Sequence, residues 1–227
     1  MNKSIISSLL IPLEQKKELN FEQFNDEVKH AIASSPELTN YLKVMDQPLD
    51  KTLRPASVLI PLVNLSCNDS KPNWQVILTK RAKHLKHHAG EICFPGGRFE
   101  EKDKSLETTA KRETEEEIGL SESEIEIIGR LPKQITISQY YVTPYVGIVT
   151  QQEAFDQNKL SIDTNEVDEA FTVPLDFLIN TKNHKKIARE IKDVSFSYHV
   201  IAYKNYNIWG ATARMLVNLS QRLNPKN

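Results

Sequence analysis

Several things are scarce in this chain, and each scarcity narrows what it can be. Across 227 residues there are two cysteines, Cys67 and Cys93, far apart and without C-x-x-C spacing. Neither a disulfide framework nor a cysteine-based zinc site is indicated, and a reducing compartment is the simpler setting. An excess of one charge is missing too: 29 Lys and Arg against 30 Asp and Glu leave a formal net charge of −1. That balance gives no reason to expect nucleic acid or an anionic membrane surface as principal partner, so any capacity to hold anions has to be local. No apolar run approaches the roughly 20 residues of a membrane span. The start, from Ile5 through Leu9 and Leu10 to Leu13, looks only superficially like an export signal. Its apolar run is interrupted by Ser7 and Ser8 and is followed by Glu14-Gln15-Lys16-Lys17, not by a small-residue cleavage site. The final residues, Asn224-Pro225-Lys226-Asn227, are not a Ser-Lys-Leu address either, and a cytoplasmic protein is the expectation.

What is present is ordinary globular composition, 39% apolar and 26% charged, enough for one substantial core and an appendage. Residues 1–50 read as a helical extension and 51–227 as the main domain. In the extension Phe21, Phe24, Val28 and Ile32, then Leu38, Tyr41, Leu42 and Val44, recur at helical spacing, broken at Ser34-Ser35-Pro36. Two or three short helices follow, poor in catalytic residue types and suited to packing against the main domain or against a second subunit, which leaves a homodimer open. In the main domain Val58 to Leu65 is an apolar run holding Pro61, read as a buried strand that is bulged or at an edge. After the turn at Asn68-Asp69-Ser70-Lys71-Pro72, Trp74 to Thr79 completes a hairpin. Further strands are expected at Glu124 to Leu131, Tyr141 to Thr150, Glu166 to Val173 and Val194 to Tyr203. A helix is expected from Pro174, and a terminal one opening at Ile208-Trp209-Gly210, with Trp209 read first as core and otherwise as fixing a substrate-facing loop.

The chemistry gathers between Gly96 and Gly119. Ser105 can cap a helix and Gly119 suits the left-handed residue that ends one. On that helix Glu113, Glu116 and Glu117 stand at i, i+3 and i+4, one stripe of three carboxylates. A solvated acidic face is the ordinary outcome of such a run. Here, however, Leu106, Ala110 and Thr114 fall on the adjoining arc, so the stripe borders the buried side, and Arg112 becomes an internal partner for one of the acids. A cation among the three would turn their repulsion into a gain, and Mg²⁺ or Mn²⁺ suits hard oxygen ligands best. Upstream, Lys80, Arg81, Lys83 and Lys86, interleaved with His84, His87 and His88, form a basic loop with no acid. Adjacent His87 and His88 point apart on most backbones, so the histidines do not read as a metal cluster.

Gly97, Asp103, Arg112, Glu113, Glu116, Glu117, Gly119 and Leu120 resemble the signature of the Nudix hydrolases, metal-dependent enzymes that cleave diphosphates linked to a nucleoside. Asp103 stands where the general pattern has Glu, Thr114 where an apolar residue is usual, and the stretch from Asp103 to Arg112 is one residue longer. That insertion is shared by the coenzyme A diphosphatase branch. Leu78, Thr79, Arg81, Ala82, Gly90, Phe94, Pro95, Gly96 and Gly97 resemble that branch's own motif, with Ile77 in place of a leucine and Lys86 in place of an arginine. The sequence around Trp209 resembles its closing motif, and Gln139 stands where the family tends to have glycine.

The resemblance implies an α/β (α+β) Nudix fold, a mixed β-sheet sandwiched between helices. It also implies hydrolysis of the diphosphate of coenzyme A to 4′-phosphopantetheine and adenosine 3′,5′-bisphosphate. By the same resemblance Glu113, Glu116 and Glu117 are metal ligands for Mg²⁺ or Mn²⁺, and Arg112 orients a ligand carboxylate. Glu116 or Glu166 is the general base, with Glu169 behind Glu166. Arg81, Lys86, Gly96 and Gly97 meet a small-molecule substrate, coenzyme A or an acyl derivative. Two other readings stay open: action on another nucleoside diphosphate derivative such as ADP-ribose or NADH, and a ligand sensor that kept the fold without turnover.

Overall fold

The computed structural model describes residues 2–12, 20–33, 53–66, 72–136, 138–150, 156, 160–191 and 194–224. The helical pattern of Leu38 to Val44, Cys67 and most of the 68–72 turn lie outside them.

The hairpin forms as its alternation requires. Strand β1 (Arg54–Asn64) runs antiparallel to β2 (Trp74–Arg81), with Leu62 opposite Val76. Around this pair stand β3 (Ile92–Cys93), β4 (Gly96–Arg98), β5 (Ile125–Arg130), β6 (Gln134–Ile135), β7 (Tyr140–Val149) and β8 (Val167–Pro174). The sheet runs β3-β2-β1-β7-β5, with β4 on β1, β6 on β7 and β8 on β2. It is mixed, because β7 lies parallel to β1 from Arg54 to Leu62 while the other pairings are antiparallel. Pro61 does not mark an edge. It falls between the stretch of β1 paired with β4, Ala56 to Val58, and the stretch paired with β2, Leu62 to Asn64. Leu59 on that side donates to the Pro95 carbonyl, so by alternation the missing N–H of Pro61 faces the gap between two partners, where no ladder bond is lost.

Helices cover both faces. Helix α3 (Leu106–Ile118) closes one, its Ala110 and Ile118 packed with Leu59, Val63 and Ile77. The other is closed by α1 (Lys3–Leu9), α4 (Leu175–Ile179) and α5 (Gly210–Leu223), which set Ile6, Leu178, Leu216 and Leu219 against Ile60, Leu62 and Leu78. Helix α2 (Phe21–Ala33) lays Phe24 and Val28 on Tyr141 and Ile135. The expected α/β/α layering is therefore the observed one.

A second, three-stranded antiparallel sheet, β9 (His184–Ile191), β10 (Val194–Tyr203) and β11 (Tyr206–Trp209), precedes α5, and β11 lies beside β3 at the edge of the main sheet. The terminal helix starts only at Gly210, whose φ of 64° turns the chain out of β11. Trp209 is a strand residue and is 40% exposed, which corrects its reading as core.

Candidate active site

The carboxylate helix begins and ends as its caps dictate: the Ser105 hydroxyl accepts the Thr108 N–H, and Gly119 closes with φ 70°. Just before it, the glycine pair is demanded by contact. A Cβ on Gly97 would sit 2.4 Å from the Glu113 carboxyl carbon, and one on Gly96, where φ is 151°, 2.4 Å from the Ser57 carbonyl. Gly97 thus clears the place that the Glu113 carboxylate fills, and Gly96 lets the turn close on β1.

Arg112 is the hub of the acids. Its Nε and Nη2 reach Asp103 at 2.6 and 3.0 Å, Nη2 reaches Glu113 at 2.8 Å, and Nη1 reaches Glu116 at 2.7 Å. Asp103 is almost wholly buried. Burial opposes its charge, but Arg112, the Glu100 N–H and the Thr109 hydroxyl outweigh that and hold its carboxyl below the ordinary range. The same pairing with Asp103 pushes the Arg112 guanidinium, already a strong base, further up. Arg112, expected to orient a ligand carboxylate, contacts two of the three expected ligands, Glu113 and Glu116. The residue that anchors it, Asp103, was legible only as a departure from the family pattern.

Glu117, in contrast, has been taken from water without a full set of partners. It is 2% exposed, and its Oε2 is buried with no hydrogen-bond partner. Burial raises its pKa to about 8, Glu113 and Glu166 add to the rise, and Arg81 and the Gly96 N–H oppose it. Burial likewise raises Glu113, against the pull of Arg112 and with help from Glu116 and Glu166. Beside Glu117 the thiol of Cys93 is pushed up to about 11 by burial and by the Glu117 charge.

Glu166 reaches this group through backbone stitching. The Asp163 N–H donates to the Glu117 carbonyl at 3.0 Å, the Glu166 N–H to the Asp163 carbonyl, and the Ala82 N–H to the Glu166 carbonyl at 2.9 Å. The turn is thereby tied to the end of α3 and to the end of β2. Glu169 does not join it. Strand alternation puts Glu169 on the side of Phe171, and the Tyr206 hydroxyl donates to it at 2.6 Å. In the basic loop, Arg81 faces Glu117, and His84 Nε2 lies 3.1 Å from the Asn165 carbonyl. His88 pairs with Glu91, while Lys83, Lys86 and His87 stand exposed. Thr136 and Ser138 hydrogen-bond within their own turn, where Gln139 adopts φ 64°, a conformation that glycine takes without strain.

The structure therefore brings together Arg81, Gly96, Gly97, Arg112, Glu113, Glu116, Glu117 and Glu166, and leaves Lys86 at the surface of the loop. Glu113, Glu116 and Glu117 are not drawn to a single point. Among the described residues no three His, Cys, Asp or Glu side chains form a ready-made cation site. The physical reason is that Arg112 holds two of the three while the third turns into the sheet.

Residues 57–194 match the NUDIX domain family. The chain belongs to the Nudix family. It is 34% identical over 172 residues, 76% of this chain and 81% of the relative, to the Nudix hydrolase NudL of Yersinia pestis (strain Pestoides F), described as uncharacterized. The same figures hold for NudL of Yersinia pseudotuberculosis serotype O:1b (strain IP 31758). Among solved structures, a MutT/nudix family protein from Enterococcus faecalis superposes with a TM-score of 0.46 at 13% identity, covering 92% of this chain and 76% of that one. As a Nudix hydrolase the protein acts on pyrophosphate bonds, and the family works with divalent ions such as Mg²⁺ or Mn²⁺. The residues here fit such an ion: the donors are all carboxylate oxygens, and one of them, Glu117 Oε2, is buried and unpartnered. No helix among the described residues is long and apolar enough to cross a membrane.

Proposed function

We propose that this Nudix hydrolase cleaves the diphosphate of coenzyme A and its derivatives, yielding 4′-phosphopantetheine and adenosine 3′,5′-bisphosphate. The observation that carries the reading is the attachment of the basic loop to the acid cluster. Residues 77–97 resemble the motif of the coenzyme A branch, and the Ala82 N–H, donating to the Glu166 carbonyl at 2.9 Å, and His84 Nε2, 3.1 Å from the Asn165 carbonyl, tie the loop to the turn that carries Glu166. Lys83 and Lys86 are exposed on the same loop, and a substrate with a 3′-phosphate beyond its diphosphate needs such cations.

Glu113, Glu116 and Glu117 would hold Mg²⁺ or Mn²⁺, which supplies charge neutralisation at the diphosphate and lowers the pKa of an attacking water. Arg112, fixed by Asp103, sets the orientation of Glu113 and Glu116. Glu166 is the better general base of the two candidates: its side chain shows no partner among the described residues, whereas Glu116 is engaged by Arg112. Glu166 takes the proton of the attacking water at a carboxylate oxygen, and no protein nucleophile is needed.

Incubation with coenzyme A and Mg²⁺ or Mn²⁺, with products identified by mass, tests the reading. The two expected products appear, and turnover exceeds that of 3′-dephospho-coenzyme A and ADP-ribose. Faster cleavage of ADP-ribose or NADH replaces the substrate assignment, and binding without turnover makes the protein a sensor.

A further inference from the structure

Outside the acid cluster, the three-stranded sheet leaves an aromatic surface in the open, and its direction follows from alternation. In β11, Ile208 is fully buried in the cluster beneath α5, so the next residue, Trp209, points to the opposite face. In β3, alongside, Ile92 belongs to that same cluster, so Cys93 points the other way, towards Glu117. Trp209 and Cys93 therefore both point away from that cluster, on neighbouring strands at the edge of the main sheet.

The register fills in the rest of this face. Val200 stands opposite Trp209 on one flank and Lys185 on the other, so the three share a row. Tyr198, two residues from Val200 and on its face, meets the indole edge-on with ring centroids 6.1 Å apart. One end of the strand is clamped to the main sheet, since Tyr206 stacks on Phe171 at 3.7 Å and hydrogen-bonds Glu169. The result is a fixed indole, braced by a tyrosine, 40% exposed, with an ammonium in the same row.

We infer that Trp209, braced by Tyr198, is a stacking shelf for the nucleobase of the diphosphate substrate, with Lys185 facing the phosphate borne on that end. The inference rests on the reading of the site as a nucleotide diphosphate hydrolase. A planar base gains from an open indole face, and a nearby cation matches its phosphate. An alkyl or pantetheine arm would gain from an enclosed apolar groove, whereas at this row Val200 is buried and only the indole and Lys185 are exposed.

Two measurements on the full chain test it. The protein has two tryptophans, and Trp74 is only 8% exposed, so quenching of the exposed indole is readable without turnover. In EDTA, ADP and adenosine 3′,5′-bisphosphate should quench the emission saturably, 4′-phosphopantetheine and pyrophosphate should not, and Trp209→Ala should abolish the response. In kinetics, Trp209→Ala should raise KM about tenfold with kcat little changed, and Trp209→Phe should recover most of the loss. Quenching by 4′-phosphopantetheine but not ADP, an unchanged KM, or a dimer in sedimentation that Trp209→Ala dissolves would overturn the shelf. If coenzyme A is not cleaved but ADP-ribose is, the substrate assignment falls while the KM for ADP-ribose still decides the shelf. If nothing is cleaved, the ADP titration decides it.

Discussion

The two faces of the main sheet are built to opposite rules. Beneath α4 and α5, Ile60, Leu62, Leu78, Ile201 and Leu216 are all fully buried and apolar, and even the acid on that side, Glu169, has its partner in Tyr206. Beneath α3 the layer begins in the same way, with Leu59, Ile77 and Ala110, and then ends in a buried carboxylate without a full set of partners. Closing off alkyl groups stabilises the fold, whereas burying Glu117 costs stability until a positive charge meets it. One face secures the fold and the other is held away from its own optimum, as functional sites commonly are.

The largest break in that comparison comes from the acids. Glu116→Gln and Glu117→Gln should each lower kcat by roughly a hundredfold or more, since each removes a charge but little volume. Their effects on the metal-free fold should part company. Glu117→Gln raises the midpoint of urea unfolding in EDTA, because a neutral amide replaces a buried carboxylate, while Glu116→Gln, on an exposed side chain, leaves it near wild type. Wild-type turnover in either variant, or destabilisation by Glu117→Gln, would remove the basis of the acid-cluster reading.

On the opposite face the sign reverses. Leu216→Ala should cost about 2–5 kcal/mol of stability through lost transfer energy and a residual cavity, while kcat per folded molecule at low temperature stays near that of the parent. A matching fall in kcat would mean that the two faces are coupled.

Next in size is the dependence on pH. Burial pushes the Glu117 carboxyl up to about 8 from an ordinary 4.5, so the folded chain holds that proton more tightly than the unfolded one. The associated stability is fully present below about pH 4.5 and is lost as pH rises through 8. The unfolding free energy from urea titrations in EDTA at pH 5, 7 and 9 should fall accordingly, by an amount on the order of a few kcal/mol, and Glu117→Gln should flatten most of that slope.

How far the sequence disclosed these two faces differs element by element. The Leu62–Val76 hairpin and the caps Ser105 and Gly119 were legible because each rests on local pattern: alternation, a hydroxyl before a helix, a left-handed glycine. The placing of Glu113, Glu117 and Arg112 along the border of the core was legible for the same reason, since a helical stripe fixes its neighbours. Strand β9 was not, because Lys185, Lys186, Ala188, Arg189 and Glu190 are all exposed and its alternation carries no hydrophobic signal. Trp209 was misread because size argues for burial, whereas its facing depends on the pairing of β11, which is non-local. Pro61 was misread because its neighbours change partner along the strand, and only the register reveals the gap that tolerates it. Glu166 and Glu169 are three residues apart in one acidic run, and nothing local to that run distinguishes the acid tied to Ala82 from the one taken by Tyr206.

That last pair gives the smallest and sharpest test. Tyr206→Phe keeps the ring on Phe171 and deletes only the hydrogen bond to Glu169, a charge-assisted contact at 2.6 Å in a part-buried position. The loss should be about 1–2 kcal/mol in urea unfolding. Because Glu169 lies on the alkyl-packed side, kcat should hold in Tyr206→Phe and in Glu169→Gln alike, whereas Glu166→Gln should lower it strongly. The wild-type phenol, held by Glu169, is itself pushed up to about 12, so the contact persists across the pH range of any assay and the comparison is not confounded by titration of the tyrosine. Should Glu169→Gln lose turnover while Glu166→Gln keeps it, the catalytic acid would lie on the far side of β8, and the division of labour between the two faces would have to be redrawn.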